Sequence, residues 1–176
     1  MVTHRDIVMR AFKKFVEENK LKCGKLLDIG CRNNILQQEL ESFGFEWHGQ
    51  DVSPNAEVDY PDSDMSLMYK IPANSFDLVF SCHSFEHCER PVDALREFKR
   101  ILKPNGWLFI ATPFHCEHQI LKADSDHIFC LTDMQMTKLL FYTGFVGGSY
   151  TQFKDIEKEQ DFNVISWGKK NEEQKN

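Results

Sequence analysis

The sequence predicts a doubly wound α/β fold built on a mostly parallel sheet. Three observations carry this. Helical and strand-like patterns alternate along most of the chain. The strand-like segments are short apolar runs, as expected of strands covered on both faces. The unusual polar residues follow strand ends, where such a sheet places its ligands.

The elements follow in chain order. Thr3 to about Asn19 reads as a helix: Ile7, Val8, Ala11, Phe12, Phe15 and Val16 repeat at three and four, and Thr3 with Asp6 has capping-box spacing. After Gly24, Leu26–Gly30 is a buried strand running into a turn. Ile35 to Phe43 carries a helical pattern that stops at Gly44, and Phe45 to Gln50 is a second strand ending at Asp51. Residues 53–75 are polar loop with room for a short third strand near Val58. Phe76–Phe80 is a strand; Pro91 opens a helix at the position proline prefers, and Pro104-Asn105-Gly106 breaks it. Trp107 to Thr112 is a further strand, residues 113–131 are a long connection, and Thr132 caps a helix ending at Gly144. Phe145–Thr151 and Phe162–Trp167 form a closing strand pair. One domain is expected over residues 1–168, with its N-terminal helix (3–20) covering the site and a flexible tail at 169–176.

Composition narrows the function classes. A chain of 176 residues that is 41% hydrophobic can bury a substantial core. No apolar run reaches the roughly 20 residues of a membrane helix, and the N-terminus lacks a signal-peptide core, so a cytoplasmic protein is expected. The net charge is −6, and Arg96, Lys99, Arg100 and Lys103 read as an ordinary solvated helix face, which argues against a nucleic-acid partner. The six cysteines contain no C-x-x-C and read as free thiols.

The chemistry concentrates where the first strand ends, Asp28-Ile29-Gly30-Cys31-Arg32-Asn33-Asn34. Gly30 permits a tight turn and close backbone approach to a ligand. Asp51 lies 21 residues further on, where an acid can accept both hydroxyls of a ribose. A nucleoside-containing cofactor is the functional reading; a structural glycine with a surface aspartate is the bland one. The nicotinamide fingerprint G-x-G-x-x-G fails, because its second and third glycines fall on Arg32 and Ile35.

Taken together, LLDIGCRNN (26–34), GQDVSP (49–54), SFDLVFS (75–81), Phe85-Glu86-His87, RILKPNGW (100–107), Ala111-Thr112-Pro113, Asp126-His127 and Gly144-Phe145 resemble, in order, the motifs of class I S-adenosylmethionine-dependent methyltransferases of the type 11 subgroup. The resemblance covers about residues 22–150. It implies a Rossmann-like methyltransferase sheet, mostly parallel with an antiparallel C-terminal strand, and S-adenosyl-L-methionine as cofactor. It also implies roles. Asp28, Gly30 and Cys31 would hold the methionine portion and Asp51 the ribose. Val52, Asp64 and Met65 would lie against the adenine, and Ser81 and Cys82 near the sulfonium. The sequence departs from the family where Arg32 and Asn34 replace its second and third motif glycines.

Five of seven histidines fall between positions 83 and 127. Neither His83-x-x-x-His87 nor His115-Cys116-Glu117-His118 has a partner cysteine pair, so spacing points to no metal site. A general base for an alcohol or amine acceptor is the functional reading, with His83 first and His115 and His127 following. For His87 a local hydrogen bond is expected, and any one histidine can be structural. The expected activity is methyl transfer to an O or N atom of a small-molecule or sugar-linked (glycan) acceptor, with no membrane partner. A non-catalytic S-adenosylmethionine-binding or scaffold protein is the alternative that Arg32 and Asn34 motivate.

Overall fold

The computed structural model describes residues 4–114, 126–153 and 162–171. Its elements are α1 (His4–Glu18), β1 (Lys25–Ile29), α2 (Gln37–Ser42), β2 (Glu46–Gln50), β3 (Phe76–Cys82), a single 3₁₀ turn (Phe85–His87), α3 (Pro91–Ile101), β4 (Leu102–Phe114), α4 (Asp133–Tyr142), β5 (Phe145–Phe153) and β6 (Phe162–Lys170). The sheet order is β2-β1-β3-β4-β6-β5. β2, β1, β3 and β4 are parallel, and β6 runs antiparallel to both β4 and β5.

The strand pleat sends alternate residues into two cores. Leu27, Val79, Leu108 and Ile110 face the layer made by α3 and α4, with Leu95, Phe98, Met136 and Leu140. Leu26, Leu78, Phe80, Phe109 and Ala111 face α1 and Leu40 of α2. Phe12 anchors that second layer, its ring meeting those of Phe43, Phe80 and Phe109 edge-on at 5.0–5.3 Å. The amphipathic stripe of the sequence therefore serves to hold α1 on the sheet. Arg5 in its first turn lines a cleft beside Gly30, while Ala11, Lys14, Phe15 and Glu18 of its body line a separate one against Phe109, Tyr150 and Trp167.

Several local expectations shift. The strand near Val58 reduces to one isolated bridge, Gln50 to Tyr60, because Met68 and Ile71 bury into the α3 side instead of the chain running along the sheet edge. The helix after the first turn is shorter than the pattern, covering Gln37–Ser42. β4 is longer than expected: Phe76 pairs with Leu102 while Leu78 pairs with Trp107, so Pro104-Asn105-Gly106 bulges out between the two pairings. β6 runs through Lys169 and Lys170, positions expected in the tail, and Lys170 Nζ donates to the Leu102 carbonyl at 2.6 Å. Arg100 is not simply solvated. Its guanidinium donates to the Met68 and Ile71 carbonyls at 2.8 Å and pairs with Glu97, tying the 51–75 loop to α3. Thr132 and Gln135 form a complete capping box on α4. Thr3, of the expected box on α1, lies outside the described residues.

Candidate functional site

β1 and β3 are neighbours, but the chain leaves them in opposite directions along the sheet, β1 toward β2 and β3 toward β4. The crevice beyond their carboxyl ends is the topological switch point of a doubly wound sheet, where ligands bind. Gly30 follows β1 there and His83 follows β3.

The turn after β1 is left-handed at every second residue: φ is +66° at Gly30, +52° at Arg32 and +52° at Asn34. Arg32 and Asn34 thus take the backbone that glycines take most easily, at a cost of order 1–3 kcal/mol for a non-glycine residue and less for Asn. Neighbouring hydrogen bonds brace the turn. Gly30 N–H donates to the Gln50 carbonyl at 2.8 Å, and Arg32 N–H donates to Asp51 Oδ2 at 2.8 Å. At Gly30 the side is closed as well: a Cβ there would sit 2.5 Å from Cβ and Oγ of Ser84, whose hydroxyl donates to the Gly30 carbonyl.

Asp51 is buried, with Oδ2 bound to Arg32 N–H and Oδ1 to Ser53 N–H at 2.8 Å each. Each carboxylate oxygen retains acceptor capacity for a ligand hydroxyl. Asp51 opens onto a cleft of about 470 Å³ that Val52, Asp64, Met65, His83 and His87 also line. Val52 is 70% exposed there, an apolar surface open to a ring. Burial raises the Asp64 carboxyl, but hydrogen bonds from Ser66 and Arg90 outweigh it and hold the carboxyl below its ordinary value. That carboxylate is already engaged by Ser66 and Arg90.

A second cleft of about 310 Å³ lies on the other side of Gly30, Arg32 and His83, which border both, and is lined by Arg5, Asp28, Cys31 and Cys82. Asp28 is buried. Burial pushes its carboxyl from 3.8 up to about 7, against the Trp47 indole N–H at 3.3 Å, with the Asp51 charge adding to the rise. Burial also pushes the Cys31 thiol up to about 12 and the Cys82 thiol higher still, so neither is a nucleophile. The donor set fits a nucleoside with an amino-acid end: a paired-hydroxyl acceptor at Asp51, an apolar surface at Val52, and a buried carboxylate at Asp28 that a ligand ammonium would neutralise.

Ser81, expected near the sulfonium, is fully buried and borders neither cleft, because strand alternation turns it to the Val79 face and Cys82 to the opposite one. His83 stands where the two clefts meet. His127 is set instead against Glu86, with Nε2 3.9 Å from Oε1. His115 lies outside the described residues. Sequence reasoning missed three groups: Arg5, whose helix pattern gave no hint of a cleft; Gln50, which receives Gly30 N–H at both its carbonyl and its side chain; and Glu86. Glu86 is 1% exposed, and its carboxyl is pushed up by burial. His83 Nδ1, His87 Nε2 and His127 Nε2 each lie 3.9 Å from its Oε1. The E-H pair in the sequence was the available signal.

Residues 27–110 match the family model described as "Methyltransferase domain", type 11. A ubiquinone biosynthesis O-methyltransferase of Nitrosococcus oceani is 26% identical over 113 residues, 56% of this chain and 48% of that protein. The chain thus spans about half the length of the curated relatives it matches. Among solved structures, an S-adenosylmethionine-dependent methyltransferase from Archaeoglobus fulgidus superposes with a TM-score of 0.71 at 18% identity, covering 94% of each chain. The 1,6-didemethyltoxoflavin-N1-methyltransferase of Burkholderia thailandensis, solved with S-adenosylhomocysteine, gives 0.72 at 13% identity over 94% of this chain and 79% of that one. At such identities the two structures speak for the fold alone. Residues 27–110, just under half of the chain, are similar in sequence to a type 11 methyltransferase domain, and the chain shares the fold of S-adenosylmethionine-dependent methyltransferases.

Proposed function

We propose that this protein binds S-adenosylmethionine across the two clefts and transfers its methyl group to an O or N atom of a small-molecule acceptor. The observation that carries the reading is the left-handed turn at Gly30, Arg32 and Asn34 braced by Asp51. The turn is left-handed at both positions where the resemblance has glycines, which favours cofactor binding over a scaffold role. When bound, the cofactor supplies a methyl group already activated on a sulfonium. Asp51 binds the ribose hydroxyls, Val52 and Met65 pack on the adenine, and Asp28 takes the ammonium in a buried setting. His83, bordering both clefts, orients the acceptor and removes its proton, for which a neutral imidazole is suited near pH 7. The O-methylating and N-methylating relatives support the acceptor atom at that level only, and a sugar-linked acceptor has no observation behind it.

Calorimetric titration with S-adenosylmethionine, S-adenosylhomocysteine and NAD tests the reading. Binding of the first two but not the third is expected. Asp51→Asn weakens it about 10- to 100-fold, the scale of one or two hydrogen bonds to a charged group. Binding of NAD alone, or unchanged affinity in the variant, overturns the assignment. Transfer of a labelled methyl group to hydroxylated and amino acceptors, lost in His83→Ala, tests the base.

A further inference from the structure

Glu86 has no part in the proposed cofactor contacts, yet it is the most deeply buried acid outside them. Neither of its carboxylate oxygens has a hydrogen-bond partner among the described residues. A buried carboxylate left in that state is costly unless a cation compensates it. What surrounds it is a ring of imidazoles held just beyond hydrogen-bonding reach. His87 Nε2 and His127 Nε2 both stand 3.9 Å from Oε1.

The orientation of His87 is informative. Its Nδ1 lies 3.1 Å from the Asp126 main-chain carbonyl. A carbonyl only accepts, so Nδ1 carries the proton, and in the neutral ring the lone pair is on Nε2, facing Glu86. A lone pair and a carboxylate oxygen then face one another across a gap too wide for a direct bond. A carbonyl that fixes the tautomer of an imidazole from behind is the usual outer partner of a metal-bound histidine. The backbone holds the third group in register: Ile128 N–H donates to the Glu86 carbonyl at 2.9 Å, so His127 is delivered to the same spot.

We propose that Glu86, His87 and His127 bind a divalent transition-metal ion of the zinc type. Their ligating atoms all lie within 4.8 Å of one another. An ion between three atoms so spaced sits about 2.4 Å from each, and a contraction of a few tenths of an ångström brings it to zinc distances of about 2.0–2.1 Å. One carboxylate and two imidazoles are a hard-to-borderline donor set, and three protein ligands leave a fourth position open. His83 Nδ1, at 3.9 Å from the same oxygen, marks that side as the one toward the clefts. The ion ties the segment at Asp126–His127 to the turn after β3. Asp126 and His87 line the larger cleft, so metal loading sets the shape of that wall. The site stands independently of which cofactor the clefts take.

The test uses the full chain without a histidine tag, stripped with a chelator and titrated with Co²⁺ and then Zn²⁺. One Co²⁺ per chain is expected, with the visible bands of a low-coordinate nitrogen and oxygen site and no sulfur charge-transfer band, and Zn²⁺ displaces it. Glu86→Gln, His87→Ala and His127→Ala each lower affinity about 100-fold, with folding checked by circular dichroism. His48→Ala removes an imidazole that lies beside Glu46 and Asp59 elsewhere, and retains full binding. Absence of stoichiometric binding overturns the proposal. So does binding that survives His87→Ala and His127→Ala, or binding that depends on His48 or shows a thiolate band.

Discussion

Replacing Asp28 by Asn separates what this residue does for folding from what it does for binding. The carboxyl is 2% exposed, and burial lifts it from 3.8 to about 7. The sign follows from linkage. A carboxyl whose folded-state pKa is raised favours folding while protonated, so its stabilising contribution is full below about pH 4 and is lost as pH rises toward 7. At about 1.4 kcal/mol per unit, two units of that window, between pH 5 and the upper pKa, amount to roughly 3 kcal/mol. The wild type therefore loses roughly 3 kcal/mol between pH 5 and pH 8 that Asp28→Asn keeps, while the Asn amide oxygen still accepts the Trp47 indole N–H. Glu86 titrates upward too, but it is present in both proteins and cancels in the difference. The assay is urea unfolding of the ligand-free proteins at pH 5, 6, 7 and 8, repeated with saturating S-adenosylhomocysteine. The variant gains on the wild type as pH rises, and stabilisation by the ligand shrinks. Parallel pH profiles would refute the burial argument, and undiminished stabilisation by S-adenosylhomocysteine would refute the ammonium contact.

Three further outcomes rest on backbone and packing. Asn34→Gly leaves stability within about 1 kcal/mol, because either residue accepts φ of +52°, whereas Asn34→Val costs about 2–3 kcal/mol; equal losses in urea unfolding would show that the turn does not need a left-handed residue here. Gly30→Ala meets both the positive φ and the Ser84 side chain at 2.5 Å, so calorimetry detects little cofactor binding, and Ser84→Gly in the same chain restores part of it. Phe12→Ala empties the centre of the aromatic layer under α1 and costs about 3–5 kcal/mol, measured as a fall in the denaturant midpoint; a loss under 1 kcal/mol would mean α1 is not held by that ring.

The alternation of elements was legible because each strand that builds the sheet's centre is a run buried on both faces. The cofactor half of the site was legible for a related reason: Gly30 and Asp51 come from consecutive parallel strands, so their spacing is fixed by one crossover of ordinary length. The bridge at Tyr60 was not legible, since Met68 and Ile71 are drawn into the α3 layer by Arg100, a cation that the helix pattern places on a wet face. The sequence places Ser81 and Cys82 together at the end of β3; the pleat turns them to opposite faces, and Cys82 is the one that borders the smaller cleft. The Glu86 cluster was hidden more deeply. Its members are 41 residues apart at the extremes, and tertiary contacts such as the Ile128–Glu86 backbone bond and the His87–Asp126 bond bring them together, so no ligand spacing in the sequence announces it.

Asp51 has two tasks at once. A glycine at position 32 would keep the same main-chain N–H on Asp51, but would take the left-handed backbone at little cost. Here Arg32 pays for its backbone, and the Asp51 carboxylate is what receives its N–H. The same oxygens face the cleft, so the group that stabilises the strained turn is also the group that a ribose would engage. Binding and turn geometry are therefore coupled through one side chain. A hydroxyl ligand that strengthens the hold on Asp51 also fixes the N–H acceptor under Arg32, and loosening the turn displaces the acceptor from the ligand. The expected consequence is that Arg32→Gly relaxes the turn while leaving the Asp51 contact in place. It improves the stability of the empty protein while leaving cofactor affinity nearly unchanged, whereas every substitution at Asp51 lowers both together.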